Sequence, residues 1–102
     1  MENRFFQRVI FRKNIEALAQ DGLFSGVVEN ISLGGMFLRT NKNLSIGEQI
    51  EIEFPIYSGI VQSSFAARLT AIRKEQTGIA FKFKELDPKN FWTLQSFIKS
   101  AI

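Results

Sequence analysis

Apolar and polar residues alternate along much of this chain. The alternation is clearest in residues 49–54, where Ile50, Ile52 and Phe54 face one way and glutamine or glutamate faces the other. A period of two residues is typical of a β-strand with one buried face. Strands of this kind, of varying regularity, are predicted at residues 11–19, 23–29, 36–40, 49–54, 60–75 and 77–84. Pro55 either ends the fourth strand or marks an edge, because proline cannot donate to the ladder.

The apolar period changes near the C-terminus. Asp87 is followed by Pro88, residue types favoured as the N-cap and first position of a helix. Beyond them the apolar residues fall on one helical stripe, which consists of Phe91, Leu94, Phe97, Ile98 and Ile102. The pattern predicts a helix at about residues 87–101, with Trp92 beside the stripe and part of the core.

Six strands and one terminal helix predict an all-β fold class with one C-terminal helix. Short turns join strands that each have one apolar face. This favours a six-stranded antiparallel β-barrel, because closing the sheet removes its exposed edges. The 102 residues fit one domain. We predict a flexible basic arm at residues 1–10, where no clean period occurs, and a single barrel domain at residues 11–102.

Composition narrows the function. The chain contains neither histidine nor cysteine, which removes the commonest general base, the commonest metal ligand and the thiol nucleophile. Glu51 and Glu53 are explained as the solvated face of a strand. We therefore expect no enzyme, no metal site and no cofactor. No apolar run is long enough to span a membrane, and the first residues lack the apolar segment of a signal peptide.

The net charge of +3 lies wholly within the first 13 residues. This segment contains three arginines and one lysine against Glu2, whereas acidic and basic residues are equal in number over the rest of the chain. A cationic arm on a neutral body favours a small anionic partner. A nucleic-acid polymer would instead require basic groups spread over a face.

Two residue spacings carry the candidate chemistry, and the first is Arg-x-x-x-Arg. It is formed by Arg4 and Arg8 and is repeated by Arg12. The planar guanidinium fork can grip a phosphate with two hydrogen bonds, bind the O6/N7 edge of guanine, or stack on a purine face. Taken alone, the spacing occurs by chance in many basic sequences, as solvated arginines on one face of a helix.

The second spacing is Asn30-x-Ser32-x-x-Gly35, with Gly34 adjacent. Asn30 offers an acceptor and a donor to a guanine edge, and Ser32 adds a small hydroxyl. Gly34 and Gly35 are expected to turn the backbone with positive φ and to let a flat ring approach. Taken alone, the motif also fits an Asx turn that leads to a glycine bulge. Both motifs in this order around a barrel predict a site for a guanine nucleotide with its phosphates.

In this order the two motifs resemble those of the PilZ domain family. The segment MFLRTNKNLSIGEQIEIEF resembles the family's strand, turn and alternating strand, and GIAFKF resembles its last barrel strand. The resemblance covers about residues 4–100. PilZ domains are six-stranded antiparallel barrels that commonly bind cyclic di-GMP. The resemblance implies a cyclic di-GMP site formed by Arg4, Arg8, Asn30, Ser32, Gly34 and Gly35.

The resemblance also implies separate roles for these residues. Arg4 and Arg8 would hold phosphate and guanine, and the Asn/Ser/Gly motif would receive guanine. Arg12 has no counterpart in the core motif and is expected to face solvent. Asn30 stands where aspartate is more frequent in the family, which removes a charge-assisted acceptor and predicts weaker binding. Asn3 stands where many relatives have another basic residue, which leaves open whether one ligand molecule or a stacked pair binds.

Three hypotheses for function follow. The main one is a bacterial cytoplasmic receptor, without catalysis, in which cyclic di-GMP orders the arm for an unidentified protein partner in motility or biofilm regulation. The second is a PilZ-like protein-interaction module that does not bind the nucleotide, for example in pilus assembly or motility. The third is a barrel that binds single-stranded nucleic acid through Phe5, Phe6 and the arm arginines. It is disfavoured because the strand aromatics alternate toward the inside.

Overall fold

The predicted strands close into one barrel. The computed structural model describes residues 7–101. The strands are β1 (Val9–Ala19), β2 (Gly22–Ile31), β3 (Gly35–Arg39), β4 (Gln49–Ser58), β5 (Val61–Glu75) and β6 (Gly78–Glu85), followed by the helix α1 (Pro88–Ala101). Neighbouring strands are antiparallel in the order β1-β2-β3-β6-β5-β4, and β4 pairs with β1 to close the ring. The predicted fold class, a six-stranded antiparallel barrel with one C-terminal helix, is confirmed.

Alternate residues of the strands fill the barrel. Ile50, Ile52 and Phe54 of β4 are buried, as their alternation predicted, and so are Phe65 and Leu69 of the neighbouring β5. The rings of Phe54 and Phe65 lie 5.6 Å apart between centroids, within the range at which aromatic pairs attract one another. Burying one such side chain stabilises the fold by about 1.5–3 kcal/mol, so these inner faces hold the barrel together.

Helix α1 packs on β4 and β5. Its N-cap is Asp87, whose Oδ1 accepts a hydrogen bond from the backbone N–H of Asn90 at 2.8 Å. Leu94 and Ile98 are its buried residues. Trp92, which we predicted to be part of the core, is instead 61% exposed. Two positions along a helix rotate a side chain by about 200°, so burying Leu94 turns Trp92 outward.

Several element boundaries differ from the sequence prediction by one to four residues, among them the start of β1 and the end of β4. β1 begins at Val9 rather than at residue 11, because Val9 is buried and pairs with Ile31 of β2. The last two residues of the predicted arm therefore belong to the barrel. β4 does not end at Pro55 but continues through it, and Pro55 lies beyond the two residues of β4 that pair with β1. Proline has no backbone N–H, and this is tolerated at position 55 because β1 does not pair with β4 there.

Candidate functional site

Residues of both sequence motifs meet where β1 begins and β2 ends. Val9 faces the core, so Arg8 and Ile10 lie on the outer side of the chain. Ile10 pairs with Asn30 of β2, which places Asn30 on the same outer face. The Nη1 of Arg8 donates a hydrogen bond to the Oδ1 of Asn30. The fold therefore joins the two motifs across a sequence separation of 22 residues.

Two irregularities of the ladder flank this contact. The register of β1 against β2 shifts between Ile10 and Lys13, and the register of β2 against β3 shifts between Val28 and Asn30. A β-bulge increases local twist and re-aims the side chains beside it. Both shifts adjoin the Ile10–Asn30 pair, so the direction of the Asn30 side chain depends on them.

The turn between β2 and β3 is closed by Ser32. Its backbone N–H donates to the carbonyl oxygen of Gly35 at 2.8 Å. Its hydroxyl accepts from the Gly34 N–H at 3.1 Å and donates to the Gly35 carbonyl oxygen at 3.5 Å. The Ser32 residue is only 2% exposed. Its hydroxyl therefore stabilises the turn and does not project into solvent.

Gly35 is required for a different reason from the one that we predicted. We expected positive φ at Gly34 and Gly35. Among residues 7–101, positive φ occurs at Gly22, Gly47 and Gly59. A Cβ on Gly35 would lie 2.0 Å from the carbonyl oxygen of Phe81 on β6. The residue must be glycine because two strands approach closely here.

A groove of about 430 Å³ extends from the Arg8–Asn30 contact across the outer face of the barrel. Arg8 and Asn30 line it together with Phe37 of β3 and with Arg73 and Glu75 of β5. These last three residues were not predicted from the sequence. Their alternation marked them only as strand positions, and the register that places them beside Asn30 is not encoded in any local motif.

The charges of this groove are largely balanced by ion pairs. Arg73 Nε and Glu75 Oε2 lie 2.8 Å apart, and Arg39 Nε lies 3.1 Å from Glu29 Oε2 at the groove's margin. Because each of these two carboxylates faces an arginine, they add little net charge. The other charged side chain that lines the groove is that of Arg8.

Part of the predicted site lies outside the described residues. Arg4 falls there, as do Asn3, Phe5 and Phe6 of the arm. Arg12 is described and exposed on β1, as expected.

A second groove on the barrel has the opposite electrostatic character. It runs over β1, β4 and β5 and is lined by one arginine, Arg68, and by the carboxylates of Glu16, Glu51, Glu53, Glu85 and Asp87. Arg68 pairs with Glu51 at 3.2 Å and with Glu85 at 3.5 Å. An anionic ligand is disfavoured there by the excess of carboxylates.

Other classes of site find little support in the part of the chain that the structure describes. Over residues 7–101 no group of acidic side chains is arranged to hold a metal ion, and no helix is long and apolar enough to cross a membrane. Of the strand aromatics weighed for nucleic-acid binding, Phe54, Phe65 and Phe81 are buried and Phe83 is partly buried. They offer no row of stacking surfaces.

Comparison with solved structures agrees with the barrel described above. The PilZ domain of CeSA from a cellulose-synthesizing bacterium matches with a TM-score of 0.67 and 18% identity, over 93% of this chain and 94% of that chain. The Bacillus subtilis inhibitor of motility, MotI/DgrA, matches with a TM-score of 0.79 and 13% identity. This match covers 97% of this chain and 51% of that chain, so the chain spans about half the length of MotI/DgrA. At these identities the likeness concerns the fold.

Comparison of the sequence identifies the family. No protein with a curated description matches the sequence significantly. The model of the PilZ domain matches residues 2–100, which is nearly the whole chain. This match includes both motifs and all six strands. The chain therefore belongs to the PilZ domain family.

Proposed function

We propose that this chain is a receptor for cyclic di-GMP and that it has no catalytic activity. The observation that carries the proposal is the hydrogen bond from Arg8 to Asn30 at one end of the outer groove. It joins the two motifs whose chemistry suits phosphate and guanine. The proposed ligand-binding residues are Arg4, Arg8, Asn30, Ser32, Gly34 and Gly35.

In this proposal the Arg8–Asn30 contact prepares the site for the ligand. Arg8 turns its guanidinium fork to a phosphate or to the O6/N7 edge of guanine, and Asn30 is released to bind a base edge. Arg4 supplies the second cation for a dianionic ligand. Ser32 and the two glycines act chiefly through the backbone, because the Ser32 hydroxyl is already bonded within the turn. Neutralising the arginines lets the arm settle on the barrel.

The signal would pass to a partner protein in the cytoplasm. Folding the arm over the groove changes the charge and shape of one face of the barrel, and a partner can recognise that change. One structural relative is an inhibitor of motility and another is a PilZ domain from a cellulose-synthesizing bacterium. These relatives favour regulation of motility or biofilm formation as the process controlled.

A second candidate function is a PilZ-like interaction module that does not bind the nucleotide. It is favoured by the turn itself, since Ser32 and Gly35 have roles in folding that need no ligand. The Arg8–Asn30 contact has no such role in the core, because Arg8 is exposed and Asn30 lies on the outer face. For this reason we prefer the receptor.

Titration calorimetry distinguishes the two functions. Wild-type protein is titrated with cyclic di-GMP, and with GTP and cyclic di-AMP as controls. The receptor predicts saturable heat with cyclic di-GMP and much weaker binding of the two controls. Absence of heat with cyclic di-GMP at high concentration, from protein whose circular dichroism shows an intact fold, would favour the interaction module.

A further inference from the structure

A row of paired residues crosses the outer face of the barrel from the Arg8–Asn30 contact. Asn30 of β2 pairs with Phe37 of β3. Phe37 pairs in turn with Ala80 of β6, and Ala80 pairs with Arg73 of β5. Directly paired residues share a face of the sheet, so these side chains form one strip. Its two ends are three strand spacings apart, or about 14 Å, which is longer than a single purine.

The middle of this strip is an apolar floor. Ala80 lies at the bottom of the groove and is 7% exposed. The half-buried Phe37 and the exposed Ile72 stand beside it. The register of β5 against β6 shifts between Ala71 and Arg73, so Ile72 is the extra residue of a bulge. The small Ala80 methyl group, between the Phe37 ring and the Ile72 side chain, forms an apolar surface that suits the face of a flat base.

The far end of the strip carries an exposed ion pair. The Nε of Arg73 donates to the Oε2 of Glu75 at 2.8 Å. Both side chains are exposed and line the same groove as Arg8 and Asn30. An arginine offers only donors and an ionised glutamate only acceptors, so the pair presents donors and acceptors side by side.

Guanine carries the complementary hydrogen-bond acceptors and donors along one edge. Its O6 and N7 accept hydrogen bonds, whereas its N1–H and its exocyclic N2 amine donate them. Adenine carries a donor amine at position 6 and has no amine at position 2. An adjacent arginine and glutamate therefore favour guanine over adenine.

We propose that this strip is a second base site of the groove. One guanine of a cyclic dinucleotide binds at Arg8 and Asn30. The other lies over Ala80, with the edge that carries these donors and acceptors toward Arg73 and Glu75. The inference rests on the proposed function, since it concerns the far half of the same ligand. It adds to that function the residues that select the second base.

Calorimetry on matched variants gives the first test. Arg73→Ala is compared with Arg68→Ala, because both arginines lie exposed on β5 and pair with glutamates, but Arg68 lines the acidic groove. We expect Arg73→Ala to raise the Kd for cyclic di-GMP about tenfold or more. We expect Arg68→Ala to leave the Kd unchanged. Glu75→Gln should reduce the preference for cyclic di-GMP over cyclic di-AMP.

Methyl NMR of the wild-type protein gives a second test that needs no variant. A purine stacked on the floor of the groove shifts the Ala80 methyl resonance upfield through its ring current. The methyl of Ala66, which pairs with the exposed Glu53 and lines the acidic groove, serves as the control and should not move. This measurement still tests the second base site if Arg73→Ala fails to fold.

The outcomes separate the inference from the proposed function. If the wild-type protein does not bind cyclic di-GMP, both are overturned. If it binds and Arg8→Ala weakens binding, but Arg73→Ala behaves like Arg68→Ala, only the second base site is overturned. An Ala80 methyl that stays in place at saturation also overturns it, even where Arg73→Ala binds poorly, because loss of charge alone would then explain the weaker binding.

Discussion

At the scale of single residues, Arg8 is the side chain on which the proposed binding depends most. Replacing it with alanine removes a charged donor fork, so Arg8→Ala should cost about 1.5–3 kcal/mol of binding free energy, or roughly 10- to 150-fold in Kd. Arg8→Lys should also weaken binding, because an ammonium group cannot form the same two parallel bonds. Titration with cyclic di-GMP measures both effects.

Arg12 supplies the control for that experiment. It is also an exposed arginine near the start of the chain, and it does not line the outer groove. Arg12→Ala removes the same charge and should weaken cyclic di-GMP binding much less than Arg8→Ala does. Equal losses in Arg8→Ala and Arg12→Ala would mean that overall charge, and not the geometry of the Arg8–Asn30 contact, determines the affinity.

Gly35 makes a prediction about stability. A Cβ at this position would meet the backbone of Phe81, which cannot move without shifting β6. Gly35→Ala should lower the free energy of unfolding by about 1–3 kcal/mol or more, measured by urea denaturation. At Gly26 the added Cβ would first meet the Leu38 side chain at 2.8 Å, and a side chain can repack. Gly26→Ala should therefore cost less, and the reverse order would contradict the argument.

At the scale of elements, the start of α1 depends on one cap. Asp87→Ala leaves the N–H of Asn90 without its acceptor and should lower the free energy of unfolding by about 0.5–2 kcal/mol. Asp87→Asn keeps an oxygen in the same place and should stay within a few tenths of a kcal/mol of the wild type. Thermal unfolding followed by circular dichroism compares the two. Equal losses would show that the charge, rather than the hydrogen bond, matters.

An ion pair links Asp21 in the β1–β2 turn to Lys42 in the loop after β3. Hydrogen bonding to Lys42, with its nearby positive charge, lowers the pKa of Asp21 below the usual 3.8. The pair therefore adds stability above the unfolded pKa and loses it as the pH falls through the folded one. An NMR titration of the Asp21 carboxyl should show the low pKa in the wild type. Lys42→Ala should return it toward 3.8, and an unchanged value would exclude Lys42 as the cause.

The elements also show how far the sequence predicts this protein. Alternation located the six strands, and the Asp87–Pro88 pair located the helix, because these signals are local in the chain. The exposure of Trp92 was missed although the apolar stripe fixes the rotation of the helix, because Trp92 was assigned to the core by its residue type and not by its position two residues from Leu94. Arg73 and Glu75 were missed for a different reason. Their place beside Asn30 depends on the register of three further strands, and no local pattern specifies that register.

At the scale of the whole molecule, charge is distributed unevenly. The net charge of +3 is carried by the first 13 residues, whereas the groove over β1, β4 and β5 gathers five carboxylates around Arg68. The acidic groove therefore repels an anion, whereas the charge of the first 13 residues attracts one. This arrangement favours the outer groove, which Arg8 lines, as the place where an anionic ligand arrives.

The uneven charge predicts how binding responds to salt. Salt screens exposed charges, with a Debye length of about 10 Å at 0.1 M and about 3 Å at 1 M. The Kd for cyclic di-GMP should therefore rise roughly threefold to tenfold between about 0.05 and about 0.5 M NaCl. Arg4→Ala should bind more weakly at low salt and respond less to added salt, since one attracting charge is gone. Arg68→Ala should keep the wild-type response, because its charge lies in the acidic groove. A Kd that does not change with salt would mean that hydrogen bonds and stacking dominate binding, and that the arm's charge does not draw the ligand in.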